Sequence, residues 1–571
     1  MLRKFLDIII NILWILSCRK EYRRFEKALK KGVSQTQKDV LLSILNKNKD
    51  TEFGKKYKFA NIKNIGQFQD KVPLSDIEDY SAYINDIARN GKNNVLTNQK
   101  VLIFELSSGS ASASKLIPYT KGLKKDFHKG LLPWLYDLYI NRPKIWRGKS
   151  YWSLSPIVNE GKYTKAGIRI GFEKDSEYFG FFRKFLFEML LATPSELRFV
   201  KDADLSRYIS LLFLLKEKNL SFISIWNPAF LKLLINSLED NWERLINDLR
   251  KGLITTTINI EPDLKSLLEK KLGRNKKRAV ELDKIYKEYK NNISGTEIPK
   301  YSLYELIWKN LTLISCWTDS HSALFKEDII KYFPNVEIQG KGLLSTEGII
   351  SFPFANLKTP ITAIRSHFME FKSIETNEIK TISELELNKE YSVIITTNGG
   401  LYRYKLADII SVKGFYKDCP LISFMGKEQK ISDYFGEKLN EYHISKILKQ
   451  LFAYYEINPV FYMMAPERDS NENYYYVLFI ELDYDYISDN KQKLHHLITE
   501  LERKLERNFH YEYCIKLKQL QPVKLFIIHS KGNEKYINRC KDLGQKIGDI
   551  KAAVLHTKTG WDKVFDGSYL S

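Results

Sequence analysis

The chain has few cysteines, no internal repeat and no apolar run long enough to cross a bilayer. Its five cysteines (Cys18, Cys316, Cys419, Cys514 and Cys540) are spread over 571 residues, and no pair has the spacing of zinc ligands. Odd in number and scattered, they are expected as reduced thiols in a cytoplasmic protein. No long Pro/Gly/Ser linker divides the sequence. The apolar residues 8–16 are interrupted by Asn11 and fall well short of the ~20 residues that a spanning helix needs. Ser17-Cys18 faintly resembles a lipoprotein cleavage site, but Asp7 breaks the apolar region and Arg19-Lys20 follow at once, which argues against export. The first reading of this stretch is a helix packed on the protein's own core. The alternative is an amphipathic helix over residues 1–24 that rests on a membrane surface.

What is present points to a large globular enzyme. The length calls for more than one domain. Hydrophobic residues make up 44% and aromatics 13%, ample for packed cores. Acidic residues do not balance the basic ones, and the net charge is +21. The lysines are dispersed and mixed with Glu and Asp, as on solvated surfaces. The densest cluster, Lys270-Lys271, Arg274 and Lys276-Lys277-Arg278, runs into a stretch carrying Glu281, Asp283 and Glu288. It reads as a surface helix, and no nucleic-acid partner is expected.

Residues 21–47 carry Phe25, Leu29, Val40-Leu41 and Leu45 at helical spacing. From Val101 onward, short apolar runs at 102–104, 222–226, 313–316 and 393–396 fit buried strands. Longer amphipathic stretches such as 229–251 fit the helices between them. That alternation predicts an α/β fold with a largely buried sheet. Beyond about Gly426 the pattern changes. Residues 460–464, 474–482 and 523–528 read as strands, with a polar turn at 467–473. Residues 490–508 read as a helix, with Leu494, Leu497, Ile498, Leu501 and Leu505 on one face. The expected division is a large N-terminal domain of mixed sheets and flanking helices over 1–428 and a small α+β domain over 429–571.

Three segments carry the candidate chemistry. Ser107-Ser108-Gly109-Ser110-Ala111-Ser112-Ala113-Ser114-Lys115 is a small-residue loop ending in a cation. Such a loop lets backbone N–H groups approach phosphate oxygens, or it is simply a Ser/Ala-rich turn. It lacks the G-x-x-x-x-G-K-[ST] pattern. Gly342-Leu343-Leu344-Ser345-Thr346-Glu347-Gly348 sets a carboxylate beside hydroxyls, suited to Mg²⁺ or to a helix N-cap. Gly400-Leu401-Tyr402-Arg403-Tyr404-Lys405-Leu406-Ala407-Asp408 places an acid next to an apolar strand. Asp408 could accept bonds from ribose hydroxyls, or form an ion pair with Arg403 or Lys405.

Read in order, these segments resemble the auxin-responsive promoter family of acyl acid–amido synthetases. That family lies within the adenylate-forming superfamily of acyl-CoA synthetases and firefly luciferase. The resemblance also takes in Thr51-Glu52-Phe53-Gly54, Val72-Pro73-Leu74 with Tyr80, Trp226-Asn227-Pro228 and Trp317. It continues through Glu370-Phe371 and Gly436-Glu437-Lys438-Leu439-Asn440-Glu441 to residues 544–551.

The resemblance implies an enzyme using ATP and Mg²⁺ to adenylate a small carboxylic acid and pass the acyl group to an amino acid or other amine. A thiol acceptor, or a non-catalytic binding protein, would be the alternative. It implies that Ser108, Gly109, Ser110 and Lys115 lie on the phosphate loop, and that Ser345, Thr346 and Glu347 face the α-phosphate, with Glu347 on the metal. Asp408 would bind ribose. Lys427, in the hinge-like Gly426-Lys427-Glu428, and Lys438 would be further nucleotide contacts. Lys551 would be the catalytic lysine carried by the small, mobile C-terminal domain, and the enzyme is expected to be a monomer. The sequence departs from the family pattern at Ala111, Ser112, Leu343, Lys405 and Ala407. An alanine where glycine is usual costs roughly 1–2 kcal/mol if the site needs positive φ.

Overall fold

The computed structural model describes residues 2–107, 115–153, 163–171, 181–293, 301–319, 324–428, 431–469, 473–483, 486–487, 490–543, 545, 550 and 553–570. The chain divides into two compact units. One comprises Met1–Thr318, Lys326–Leu406 and Ile410–Phe424; the other comprises Asp319–Phe325, Ala407–Ile409 and Met425–Ser571.

The N-terminal segment is one helix, Leu2–Lys31, where the sequence suggested a short helix followed by a second one from residue 21. It ends because Gly32 takes φ 97, and the next helix, Val33–Asn48, begins there. Ile10, Trp14, Ile15, Cys18 and Phe25 are buried in the core of the large unit. The Asn11 amide, which interrupts the apolar run, is also buried. Its Nδ2 lies 3.1 Å from both the Trp146 and Gly148 carbonyls, where it replaces the water it loses. Core packing is therefore one function of this segment, as first read from the sequence.

The strands, in chain order, begin with β1 (Ile103–Ser107), β2 (Lys115–Tyr119), β3 (Lys149–Trp152), β4 (Arg169–Ile170), β5 (Leu220–Ser224), β6 (Leu313–Cys316) and β7 (Glu337–Gly340). They continue with β8 (Ser351–Phe352), β9 (Ile361–Thr362), β10 (Phe368–Ser373), β11 (Ile379–Thr381), β12 (Glu390–Thr396), β13 (Tyr404–Tyr416) and β14 (Cys419–Lys427). β3, β5, β6 and β7 form an all-parallel sheet in that order. β5 and β6 are buried along their whole length, as parallel strands covered on both faces must be. A seven-stranded sheet runs β11-β10-β12-β13-β14-β9-β8, and a smaller sheet runs β2-β1-β4.

The stretch read as one helix over 229–251 is two, Pro228–Asp240 and Trp242–Lys251. Asn241 leaves helical geometry at φ −116. Each helix then buries its own stripe, Leu231, Leu234 and Leu238 in the first and Leu245, Ile246 and Leu249 in the second. The basic cluster does lead into a helix, Lys276–Ile293. Arg278, however, is buried: its guanidinium donates to the Leu215 and Ile307 carbonyls at 3.0 and 2.8 Å. It pins the core instead of adding to a basic surface.

The small unit contains β15 (Ile431–Ser432) paired with β16 (Leu439–Asn440), and the sheet β17 (Phe461–Arg468), β18 (Tyr474–Glu481), β19 (Leu520–Ile528) and β20 (Gly567–Tyr569). The strand β17 runs on through Glu467 to Arg468, two residues into the expected turn. Helix Lys491–Leu505 buries Leu494, Leu497, Leu501 and Leu505 in this unit's own core. The whole is α/β with a smaller α+β unit.

Candidate functional site

The motif around Tyr402 is held by segments that precede it by more than three hundred residues. Tyr80 Oη accepts the N–H of Tyr402 and donates to its carbonyl, both at 2.8 Å. Ser75 bridges the next residues, its N–H to the Arg403 carbonyl at 3.0 Å and its carbonyl to the Lys405 N–H at 2.8 Å. Phe53 stacks on the Tyr402 ring at 4.8 Å. Arg403, buried, pairs with Glu370 at 3.0 Å and donates to the Gln69 and Val72 carbonyls at 2.8 Å. A buried charge needs this complete set of partners. The separate motifs at 51–54, 72–80, 370 and 400–405 thus become one scaffold leading into β13.

That scaffold also corrects the ion pairs considered for Asp408. Arg403 belongs to Glu370, and Lys405 reaches Asp76 at 3.3 Å. Asp408 is buried on β13 and pairs with Lys427 Nζ at 2.8 Å. The fold therefore brings these two predicted site residues together. Ala407, beside Asp408, takes φ 59, the left-handed conformation for which glycine is suited. Its carbonyl accepts the Glu428 N–H at 2.8 Å.

The Ser345–Gly348 segment is a tight turn and not a helix start, so the N-cap alternative is overturned. Ser345 N–H donates to the Gly348 carbonyl at 2.9 Å, and Gly348 N–H returns to the Ser345 carbonyl at 3.3 Å. Leu344 and Ile349 bridge in antiparallel fashion at its base. The Tyr119 hydroxyl, at the end of β2, donates to the Thr346 carbonyl. Glu347 at the tip is buried. Burial, with the Glu347 carboxylate nearby, drives the Tyr404 phenol well above its ordinary range. From beneath, His367 Nε2 accepts the Ile349 N–H at 3.1 Å, and burial lowers this histidine to about 4. His367 is therefore a neutral acceptor that fixes the turn.

A further group stands at the carboxyl ends of the parallel strands, the edge at which open α/β sheets bind ligands. Lys341, directly after β7, is buried and its Nζ donates to Ser224 Oγ at 2.8 Å. The same nitrogen lies 4.9, 5.7 and 4.8 Å from the rings of Trp134, Trp152 and Trp226. Burial pushes the amine down to about 7, while the indole faces favour its charged form.

The expected phosphate loop is bounded by an antiparallel pair: β1 and β2 pair from Ile103↔Tyr119 to Ser107↔Lys115. Ser108, Gly109 and Ser110, and the predicted catalytic Lys551, lie outside the described residues. Lys115 is the first residue of β2. Lys438 is exposed with φ 48, next to a buried Glu437 that accepts the Tyr434 and Phe435 N–H groups. Sequence reasoning did not pick out His367, Tyr119 or Lys341 as site residues. The available signals were a histidine directly ahead of Phe368-Met369 and a lysine between Gly340 and Gly342.

Comparison with known proteins fits this architecture. The GH3 family N-terminal domain matches residues 21–338, the central domain 361–427 and the C-terminal domain 442–559. Indole-3-acetic acid-amido synthetase GH3.3 of Arabidopsis thaliana is 24% identical over 73% of this chain and 71% of its own length. Jasmonoyl--L-amino acid synthetase GH3.5 of Oryza sativa subsp. japonica is 21% identical over 94% of both. Among solved structures, the GH3.15 acyl acid amido synthetase in complex with 2,4-DB superposes with a TM-score of 0.76. It is 19% identical over 95% of each chain. With all three domain models matched in order on a fold of the same kind, this chain belongs to the GH3 family.

Proposed function

We propose that this protein is an ATP-dependent acyl acid–amido synthetase: it adenylates a small carboxylic acid and transfers the acyl group to an amine, an amino acid in the first instance. The observation that carries this reading is the buried Glu347, presented by a braced turn in a chain matched along its length by GH3 domains.

A carboxylate acylates poorly because its leaving group would be oxide. Attack by the carboxylate oxygen on the α-phosphorus of ATP forms a C–O–P linkage and releases pyrophosphate, leaving AMP as a good leaving group. The amine nitrogen then attacks the acyl carbon, AMP departs, and the nitrogen loses its proton. Negative charge gathers on the phosphate oxygens in the first step, where fixed opposite charge stabilises it.

Among the described residues no cluster of three metal-ligating side chains occurs. Mg²⁺ keeps much of its water and uses one or two carboxylates with substrate phosphates. In this reading Glu347 would hold Mg²⁺, which would supply charge neutralisation. Ser345 and Thr346 line the turn, the Asp408–Lys427 pair faces the ribose, and Ser108–Gly109–Ser110, Lys115 and Lys438 contact phosphates. Lys551 delivers positive charge during adenylation. The buried free thiols support residence in a reducing compartment, the cytoplasm.

The test is pyrophosphate release from Mg-ATP over a panel of acids crossed with amino acids, with products read by mass spectrometry. Acid-dependent release and an amide product are expected. No acid-dependent release across the panel would refute the reading. A thioester formed in preference to an amide in single-turnover comparison would refute the amine acceptor.

A further inference from the structure

The helix Leu2–Lys31 buries one side in the protein and leaves an ordered stripe on the other. Leu6, Ile9, Leu13 and Leu16 follow one another at steps of three and four residues, with Ile12 beside them; these five side chains are between 38% and 53% exposed. The same steps continue through Lys20, Arg23, Lys27 and Lys30, all exposed, with Arg19 and the single acidic Glu26 alongside. One helix face is thus apolar for about 15 Å and then basic for about another 15 Å. Asn11, Trp14 and Cys18 commit the opposite face to the core, so the stripe is not a packing surface that the fold has used. The neighbouring helix Phe181–Leu190, which meets Trp14 through Phe187, also exposes Phe185.

We infer that this face docks the protein on an anionic lipid bilayer. The apolar patch is on the order of 400 Å², large enough to mark an interaction site but about half of the ~800 Å² per partner that a stable dimer buries. The basic line that prolongs it complements anionic headgroups. Arg24 does not extend the basic line, because Glu21 holds it at 2.6 Å. No helix among the described residues is long and apolar enough to span a membrane, so the contact is peripheral: Leu6 to Leu16 enter the headgroup boundary while the basic side chains stay in water.

The experiment is co-sedimentation of the full chain with phosphatidylcholine vesicles, with and without phosphatidylserine. Binding is expected to the phosphatidylserine vesicles, weakened by salt. The double variant Leu13→Gln/Leu16→Gln, and separately Lys20→Gln/Arg23→Gln, should each lower partitioning about tenfold. Acid-dependent pyrophosphate release and the melting temperature should hold, because these residues are exposed and outside the adenylation machinery. Absence of vesicle binding, or binding unchanged in the double variants, would overturn the inference. So would a dimer in light scattering that Leu13→Gln/Leu16→Gln dissolves, which would give the face to a second copy.

Discussion

His367 Nε2 accepts the backbone N–H of Ile349 at 3.1 Å, and a Cβ on Gly348 would lie 2.8 Å from that same nitrogen. The histidine is therefore both a hydrogen-bond partner and a steric wall beneath the turn that carries Glu347. Since Nε2 accepts, the proton sits on Nδ1, 4.0 Å from Asp126 Oδ2. Asp126 in turn accepts from Asn398 Nδ2 at 2.7 Å, in the loop ahead of Tyr402.

This arrangement sets an acid limit. The folded histidine is lowered to about 4 from an ordinary 6.5, so the unfolded chain binds more protons in between. Its contribution to stability is complete above pH 6.5 and is lost as pH falls towards 4, about 3 kcal/mol in all. His367→Gln keeps an acceptor for Ile349 without titrating. Urea unfolding at several pH values should show a shallower acid loss in the variant; equal slopes would contradict the assignment.

Gly348→Ala tests the wall. The added methyl cannot be accommodated without moving His367 or the turn, at a cost of roughly 1–3 kcal/mol. A lower melting temperature is expected, together with slower acid-dependent pyrophosphate release as Glu347 shifts.

The ribose and lysine roles separate by readout. Asp408→Ala should weaken ATP binding about tenfold, the scale of a charge-assisted hydrogen bond, in calorimetry. Lys551→Ala should leave that affinity near its starting value and slow pyrophosphate release instead. The opposite pattern would exchange the two assignments.

Ala407→Gly should stabilise the protein. Relief of the left-handed alanine at φ 59 is worth roughly 1–2 kcal/mol, partly offset by the greater freedom of glycine in the unfolded chain. Denaturant midpoints should rise by an amount equivalent to about 0.5–1 kcal/mol.

Lys341→Met should change the alkaline side. The buried amine is lowered to about 7, so the unfolded chain binds more protons between pH 7 and the ordinary lysine range, and folded stability rises with pH there. From pH 7 to 9 the native protein should gain up to about 2 kcal/mol relative to the variant. Parallel curves would mean that the three indoles keep the amine charged throughout.

Much of the fold was legible because its signals are local. The buried strands β5 and β6 announced themselves as apolar runs, and Leu494, Leu497, Leu501 and Leu505 appeared at helical spacing before they were found in one core. The break at Asn241 was not legible. Both flanking helices are amphipathic, and only their separate burial distinguishes two from one.

The same division holds for the site. The chemical inventory was legible from residue types alone: Glu347 among hydroxyls, Asp408 ahead of apolar residues, small residues before Lys115, and an alanine where its relatives' pattern expects glycine. Those are properties of residue type and order. Partnership was decided only by tertiary structure. Asp408 pairs with Lys427 and not with the nearer Arg403, because Glu370 and the Gln69 and Val72 carbonyls already occupy the guanidinium. His367 and Tyr119 reach the Glu347 turn from different elements. A buried polar group takes the partner that folding leaves within hydrogen-bonding distance, and that distance is not written in sequence separation.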